Sequence, residues 1–224
     1  GLQKLEDVAD IHILGMYNEG LKSGIGGSMG LKDIDGDKID DLYFGFGKFK
    51  SNSALVGFRG GDDHIKGIVD MEDTEPELEY HIQQSMWLDT GDMNGDGNLD
   101  LVAGGIHGSG TVYLGDGSGF NYYSMIMAGG PDDPLNYQYT DHVLMEDLDG
   151  DGLDEALGGY FFNNPYTPTP PPHQVNIFWG TGEKTKIATG SKWMLGASMA
   201  SGDIDGDGSE DLILGGYYWK DVKR

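Results

Sequence analysis

Short apolar runs that end in glycine recur four times along the chain, and each predicts a β-strand. The four runs are residues 42–45, 101–105, 156–159 and 212–216. Runs of four or five apolar residues bounded by turn formers are too short for a helix and are typical of buried strands. A second strand is predicted before each run, and its methionine lies an even number of residues before the intervening loop. We expect these methionines to face the core. They are Met29, Met86, Met145 and Met199.

A loop rich in aspartate and glycine separates the two strands of each pair. The loops, numbered one to four below, are residues 33–41, 92–100, 147–155 and 203–211. Their first residues are 59, 55 and 56 residues apart, and a fixed period of this size indicates a repeat protein. Further apolar segments at 54–58, 111–114 and 175–179 bring the count to about four strands per repeat. Four antiparallel strands in such a period are the size of a β-propeller blade.

The expected fold is therefore all-β, a β-propeller of four-stranded antiparallel blades built from four repeats. Residues 11–22 resemble the third strand of a repeat, and the chain stops after the second strand of the fourth. We therefore expect residues 1–224 to form a single β-propeller domain. Residues 1–22 would complete the blade begun by the C-terminal strands around 212–219. This arrangement fits a closed four-bladed ring or an arc of a larger propeller.

The acidic composition is local. The formal net charge is -24, but 18 of the 38 acidic residues lie in the four loops, so a basic partner is not required and nucleic acid binding is not expected. The chain has no cysteine, which excludes disulfides, cysteine-based zinc sites and thiol nucleophiles. No apolar run approaches the ~18 residues of a membrane-spanning helix, so no transmembrane segment is expected.

Each loop carries oxygen ligands at alternate positions. The pattern is Asp at position 1, Asp or Asn at 3, Asp at 5, a free backbone carbonyl at 7 and Asp or Glu at 9. The predicted ligands are Asp33, Asp35, Asp37, Ile39 and Asp41; Asp92, Asn94, Asp96, Asn98 and Asp100; Asp147, Asp149, Asp151, Leu153 and Glu155; and Asp203, Asp205, Asp207, Ser209 and Asp211. An all-oxygen set with several carboxylates suits Ca²⁺ better than Mg²⁺ or a transition metal. Four calcium sites are predicted, because carboxylates this close repel one another without a cation.

The loops resemble those of a known repeat family. The sequence Asp-Met-Asn-Gly-Asp-Gly-Asn-Leu-Asp-Leu at 92–101 and its three counterparts are similar to the calcium loops of FG-GAP/VCBS repeats. These occur in integrin α-subunit propellers and in exported microbial lectins and adhesins. The resemblance implies that each loop joins the first two strands of a blade, that the propeller is commonly seven-bladed, and that the protein is extracellular or on the cell surface. An EF-hand is not expected, since strands flank each loop and position 12 is not Glu.

The expected function is a calcium-stabilised binding module rather than an enzyme, because every repeat carries the same site. Its partner would be a glycan or an extracellular protein. Aromatic residues near the predicted loops could stack on sugars or simply pack between blades. They are Tyr160, Phe161, Phe162, Tyr166, Trp179, Tyr217, Tyr218 and Trp219. Two alternatives stay open, a polysaccharide lyase or related enzyme and a structural domain of a larger surface protein. A lyase would draw on Arg59 and on the histidines at 64, 81, 107, 142 and 173.

Overall fold

The computed structural model describes residues 11–14, 28–49, 52–61, 67–71, 73–82, 87–105, 110–126, 140–160, 174–180, 182–188 and 196–216. Within these ranges the regular secondary structure is β, which confirms the predicted class. The strands are β1 (Ile11–Leu14), β2 (Met29–Lys32), β3 (Asp41–Phe49), β4 (Asn52–Phe58), β5 (Gly67–Asp70), β6 (Leu78–His81), β7 (Trp87–Gly91), β8 (Asp100–Gly104), β9 (Gly110–Gly115), β10 (Phe120–Ile126), β11 (Thr140–Glu146), β12 (Glu155–Tyr160), β13 (Gln174–Phe178), β14 (Lys184–Ala188), β15 (Ser198–Gly202) and β16 (Asp211–Gly215). None of these ranges holds a helix long and apolar enough to cross a membrane.

The chain divides into two compact units, Gly1–Ser85 and Met86–Arg224. Each unit is described by itself below. The expectation of a single propeller domain over 1–224, and of its number of blades, stays a prediction.

In the first unit, β2, β3, β4 and β6 form a four-stranded antiparallel sheet in that order. Strand β5 does not join this sheet and pairs in parallel with β1. The core consists of apolar side chains from β3, β4 and the β5 region, which are Phe44, Ala54, Val56, Phe58, Val69 and Met71. Of residues 1–22 only β1 is described. It uses one edge to pair with β5, and the expected pairing with the C-terminal strands stays a prediction.

The second unit contains two sheets of four consecutive antiparallel strands, β7 to β10 and β11 to β14. This is the predicted composition of a blade for repeats two and three. Strand β11 contacts β7 and β8, and the two sheets share a buried cluster of Met93, Val102, Val112, Met145, Ala156 and Phe178. Strands β15 and β16 form a hairpin. Its Met199, Leu212 and Leu214 pack against a second cluster of Leu157, Val175 and Ile177.

The methionine prediction is right for Met145, which is buried, and in part for Met199, which is half-buried against the second cluster. It is wrong for Met29, which is 61% exposed. Met29 begins β2, the edge strand of its sheet, and no described sheet of the first unit covers it. Met86 lies outside the described residues.

All four loops connect the first two strands of a sheet or hairpin, as the resemblance implied. Loop one joins β2 to β3, loop two joins β7 to β8, loop three joins β11 to β12 and loop four joins β15 to β16. Each strand pair is antiparallel and in register up to the loop. The loop geometry is thereby fixed by the sheet at both ends.

Candidate metal centre

Each loop is held by hydrogen bonds from its own backbone to the aspartate at position 1. In loop two, the N–H groups of Gly95 and Gly97 donate to Oδ1 and Oδ2 of Asp92 at 2.8 and 2.9 Å. The corresponding two bonds, from positions 4 and 6 to position 1, occur in the other three loops. The aspartate at position 5 accepts the N–H of position 7 in all four. The four sequences therefore form the same turn.

Glycine at position 4 allows the chain to turn inside the acidic side chains. Its φ angle is between 72° and 82° in all four loops, a region that residues with a Cβ adopt only at a cost. The glycines are Gly36, Gly95, Gly150 and Gly206. This conformation directs the position 4 N–H back to the carboxylate at position 1.

Carboxylate oxygens converge in three of the four loops. In each, ligand atoms from three acids lie within 4.8 Å of one another. The groups are Asp33, Asp35 and Asp37; Asp147, Asp149 and Glu155; and Asp203, Asp205 and Asp211. Loop two has Asn94 at position 3, and among its described residues no three acids lie this close. In this loop the amide oxygen of Asn94 accepts the N–H of Asp96 at 2.9 Å, and its role as a metal ligand beside Asp92, Asp96 and Asp100 stays a prediction.

The donor set of every loop fits calcium. All the side-chain donors are oxygens, and several are carboxylates, which is the environment that Ca²⁺ prefers. Positions 1, 3, 5 and 9 would hold the ion. The backbone carbonyls expected to bind it at position 7 stay predictions, and they belong to Ile39, Asn98, Leu153 and Ser209.

In loops one to three, the acid at position 9 is buried and ties its loop to the third strand of the sheet. Asp41, Asp100 and Glu155 are 0%, 0% and 1% exposed. One oxygen of Asp100 accepts the N–H of Met93, at position 2 of the loop, at 3.0 Å, and the other accepts the N–H of Gly115, at the end of β9, at 2.8 Å. Equivalent bonds occur in loops one and three. Position 9 is therefore both a candidate ligand and a structural tie.

Loop four is more open. Asp211 accepts the N–H of Ile204 at 3.1 Å, which repeats the bond to position 2, but its side chain is exposed. Asp203, Asp205 and Asp207 are exposed as well. All four loops thus form the same turn, but the acid at position 9 is buried in loops one to three and exposed in loop four.

Burial raises the pKa of two position 9 acids. Loss of contact with water outweighs the hydrogen bonds that Asp100 accepts and raises its pKa from 3.8 to about 6. Burial, assisted by the negative charges of Asp149 and Asp151, raises the pKa of Glu155 from 4.5 to about 7. A divalent cation beside them would favour the ionised form and lower both values.

Sequence reasoning missed the glycines that receive the position 9 acid. A Cβ at Gly115 would collide with the carbonyl oxygen of Leu99, and a Cβ at Gly60 would collide with that of Asp40. Both carbonyls belong to position 8 of a loop. Gly180 has the same place after β13, where a Cβ would lie 2.6 Å from a carbonyl oxygen of loop two. The recurrence of glycine one or two residues after each third-strand segment is the sequence signal that could have identified them.

Site one differs from the others in two ways. The other loops have glycine at position 6, whereas loop one has Lys38. Because Lys38 adopts φ 73°, its backbone is strained. The guanidinium of Arg59 also lies on the site, with Nε 3.1 Å from Oδ2 of Asp35. Arg59 therefore competes with a metal ion for a carboxylate of this loop, and Lys38 adds a second positive charge to the loop itself.

We expect site one to be the last of the four sites to fill in a calcium titration. Lys38→Gly should tighten it about fivefold, because it removes a positive charge and about 1 kcal/mol of backbone strain. Lys38→Ala is the matched control, since it removes the charge and keeps the strain, and it should tighten the site less. Site-resolved NMR titration measures both effects. Filling of site one before the others would contradict this prediction.

Comparison with known proteins identifies one stretch of the chain. Residues 92–158 match the family described as FG-GAP-like repeat. This stretch starts at the first aspartate of loop two and ends within β12, after loop three. A search of curated proteins gave no match. The resemblance inferred from the loop sequences is confirmed for residues 92–158, which match the FG-GAP-like repeat.

Proposed function

We propose that the chain is a calcium-stabilised binding module of β-propeller architecture that works outside the cell. One observation carries the proposal: four loops of different sequence form the same oxygen-lined turn, each between the first two strands of a sheet. The FG-GAP-like repeat supports a binding or adhesion-type module, since such repeats generally bind calcium and are typically extracellular. The presence of the same kind of site in every repeat favours a structural role for the metal, because a catalytic centre is usually single.

A cavity that includes part of site three supports a glycan as the partner, and three of its lining residues are predicted ligands of that site. Its volume is about 310 Å³. The residues that line it are Asp149, Asp151, Glu155, Trp179, Glu183 and Thr185. The indole Nε1–H of Trp179 donates to Oγ1 of Thr185 at 2.7 Å, which fixes the ring at the edge of the cavity. An aromatic ring next to hydroxyl and carboxylate groups is a suitable surface for a sugar, which has both an apolar face and polar edges.

The other aromatic candidates give no comparable support. Phe161, Phe162, Tyr166, Tyr217, Tyr218 and Trp219 lie outside the described residues, as does the side chain of Tyr160. Trp179 itself is half-buried and also packs against the cluster of Leu157, Val175 and Ile177. Both interpretations of the aromatic residues, packing and recognition, therefore apply to Trp179.

For the enzymatic alternative, no specific observation among the described residues favours a catalytic group. His81 lies 3.3 Å from Glu79, and Arg59 contacts Asp35. His142 lies against the ring of Trp87, with centroids 5.8 Å apart, and burial lowers the pKa of this histidine. The histidines at 64, 107 and 173 lie outside the described residues.

A glycan-binding measurement tests the proposal. The protein in about 1 mM Ca²⁺ should bind members of a polysaccharide panel, and Trp179→Ala should weaken binding about two- to tenfold, since an aromatic stacking contact contributes about 0.5–1.5 kcal/mol. Tyr122→Ala is the matched control, because Tyr122 is 56% exposed on β10 and does not line the cavity. Its binding should stay within twofold of the wild type.

Two outcomes would contradict the proposal in favour of the alternatives. Release of unsaturated sugar products during the incubation would assign a lyase. Failure to bind any glycan or extracellular protein, with the calcium-dependent fold intact, would assign a structural domain.

A further inference from the structure

Loops two and three are joined directly by two hydrogen bonds between Asp92 and Asp154. The backbone N–H of Asp92 donates to Oδ2 of Asp154 at 2.6 Å, and the backbone N–H of Asp154 donates to the carbonyl oxygen of Asp92 at 3.1 Å. The two residues are 62 positions apart in sequence. Both backbone polar groups of Asp92 are thus bonded to a single residue of the next loop.

The chain around this bridge is closely packed. A Cβ at Gly91, next to Asp92, would collide with the carboxylate of Asp154 and would lie 2.9 Å from Cγ of Met145. On the other side, a Cβ at Gly95 would lie 2.7 Å from Cδ2 of Leu153. The backbone of loop two therefore lies against side chains of loop three on both sides of the bridge.

One end of the bridge is a candidate metal ligand, and the other end lies between two candidate ligands in sequence. Asp92 is position 1 of loop two, and its carboxylate holds the N–H groups of Gly95 and Gly97. Asp154 is position 8 of loop three and stands between Leu153 and Glu155, the predicted ligands at positions 7 and 9. A change in the backbone of either loop is therefore transmitted to the ligands of the other.

We propose that Asp154 couples calcium binding at sites two and three, so that an ion in one site raises the affinity of the other. This inference rests on the proposed calcium-binding function. An ion in loop two orders the backbone of Asp92, which holds Asp154 and so orders loop three in advance. The second ion then binds without the full entropic cost of ordering its loop. Linkage requires the effect to be equal in both directions.

Position 8 is aspartate in loops one and three and a different residue in each of the other two loops. Loop two has Leu99, whose side chain has no hydrogen-bond acceptor, and loop four has Glu210. Among the described residues, Glu210 makes no hydrogen bond to loop three like the one between Asp154 and loop two. Site four is therefore an internal reference within the same unit, and Glu210→Leu is the matched control for Asp154→Leu.

Backbone amide NMR of the full chain can follow each site separately. The amides of Gly97, Gly152 and Gly208 each donate to Oδ2 of the position 1 aspartate in loops two, three and four. In a Ca²⁺ titration of the wild type, Gly97 and Gly152 should shift together with a steeper transition than Gly208. A coupling of about 25-fold is expected, within the range of measured allosteric couplings of about 5- to 150-fold, and it lowers the two midpoints by about fivefold, the square root of the coupling factor.

Asp154→Leu should raise the calcium midpoints of Gly97 and Gly152 about fivefold or more and leave that of Gly208 within twofold. Asp154→Asn keeps an acceptor oxygen and should keep the coupling. Asp96→Ala removes an exposed ligand of site two without touching the bridge. It should raise the midpoint of Gly152 about fivefold, which tests the coupling even if Asp154→Leu does not fold.

The coupling would be overturned if the calcium midpoints of Gly97 and Gly152 in Asp154→Leu were those of the wild type. It would also be overturned if the midpoint of Gly152 in Asp96→Ala were that of the wild type. Loss of affinity in Asp154→Asn equal to that in Asp154→Leu would overturn the hydrogen-bond mechanism, since charge alone would then explain the effect. If none of the three glycine amides of the wild type shifted on addition of Ca²⁺, the calcium-binding function itself would be refuted.

Discussion

Removal of calcium is expected to lower the melting temperature by about 3–20 °C, because the ion provides much of the stability of the fold. Extracellular calcium modules have dissociation constants of roughly 0.1–1 mM, so each site adds about 0.4–1.4 kcal/mol at about 1 mM free calcium. Four sites taken as independent add about 1.6–5.6 kcal/mol, against roughly 5–15 kcal/mol for a whole domain. For a chain of this size, 1 kcal/mol corresponds to a shift of about 2–4 °C.

The measurement is a thermal melt followed by circular dichroism at neutral pH and low ionic strength, with calcium and with excess chelator. Readdition of Ca²⁺ should restore the higher melting temperature. Equimolar Mg²⁺ is the control and should restore it much less, because Mg²⁺ requires a stricter octahedral geometry. Superimposable curves with calcium and with chelator would refute a stabilising role for the four loops.

Acidification provides an independent check on the same prediction, since the pH dependence should change sign with calcium. With the ion bound, the carboxylates have lowered pKa values, so their contribution is present above the unfolded pKa and is lost as pH falls. With chelator, the raised pKa values of Asp100 and Glu155, about 6 and about 7, have the opposite effect. The contribution of these two acids to the free energy of unfolding is largest below about pH 4 and is lost as pH rises towards 7.

The strand pattern and the loops could be predicted because they depend on local sequence. Alternate acids with a glycine at position 4 form a turn whose bonds lie within nine residues, and the flanking apolar runs form the two strands that the loop joins. The pairing of β1 with β5 could not be predicted in this way, since it depends on contacts between segments more than 50 residues apart. The exposure of Met29 has a similar origin, because an even offset fixes the face of a strand and not whether another element covers it.

The dual role of the position 9 acid was also beyond the sequence pattern. A metal ligand and a buried hydrogen-bond acceptor at this position are both Asp or Glu at the same spacing, so the sequence does not distinguish the two roles. What distinguishes them is the third strand, whose glycine brings its N–H against the carboxylate. In loop four the acid at this position is Asp211, and it is exposed.

Gly115→Ala is expected to destabilise the protein by about 1–3 kcal/mol, the usual cost of forcing an extra methyl group into a well-packed site. The new Cβ would collide with the carbonyl oxygen of Leu99, which is backbone and cannot rotate away. Relief of the collision moves β9 away from loop two and lengthens the bond from the Gly115 N–H to Asp100. The buried carboxylate then loses one of its two partners, and an unsatisfied buried polar group adds to the cost.

The same substitution should weaken calcium binding at site two, because Asp100 is a predicted ligand of that site. Gly202→Ala is the matched control. Gly202 ends β15 next to loop four, and an added Cβ would meet no heavy atom within 4 Å, so its effect should stay within about 0.5 kcal/mol. Urea denaturation in excess chelator isolates the packing effect, since no metal is then bound in either variant. A loss of stability in Gly115→Ala that appears only when calcium is present would show that Gly115 acts through the metal ligand alone. An equal loss in the two variants would show that the tie between loop and third strand contributes nothing beyond the general cost of replacing a strand glycine.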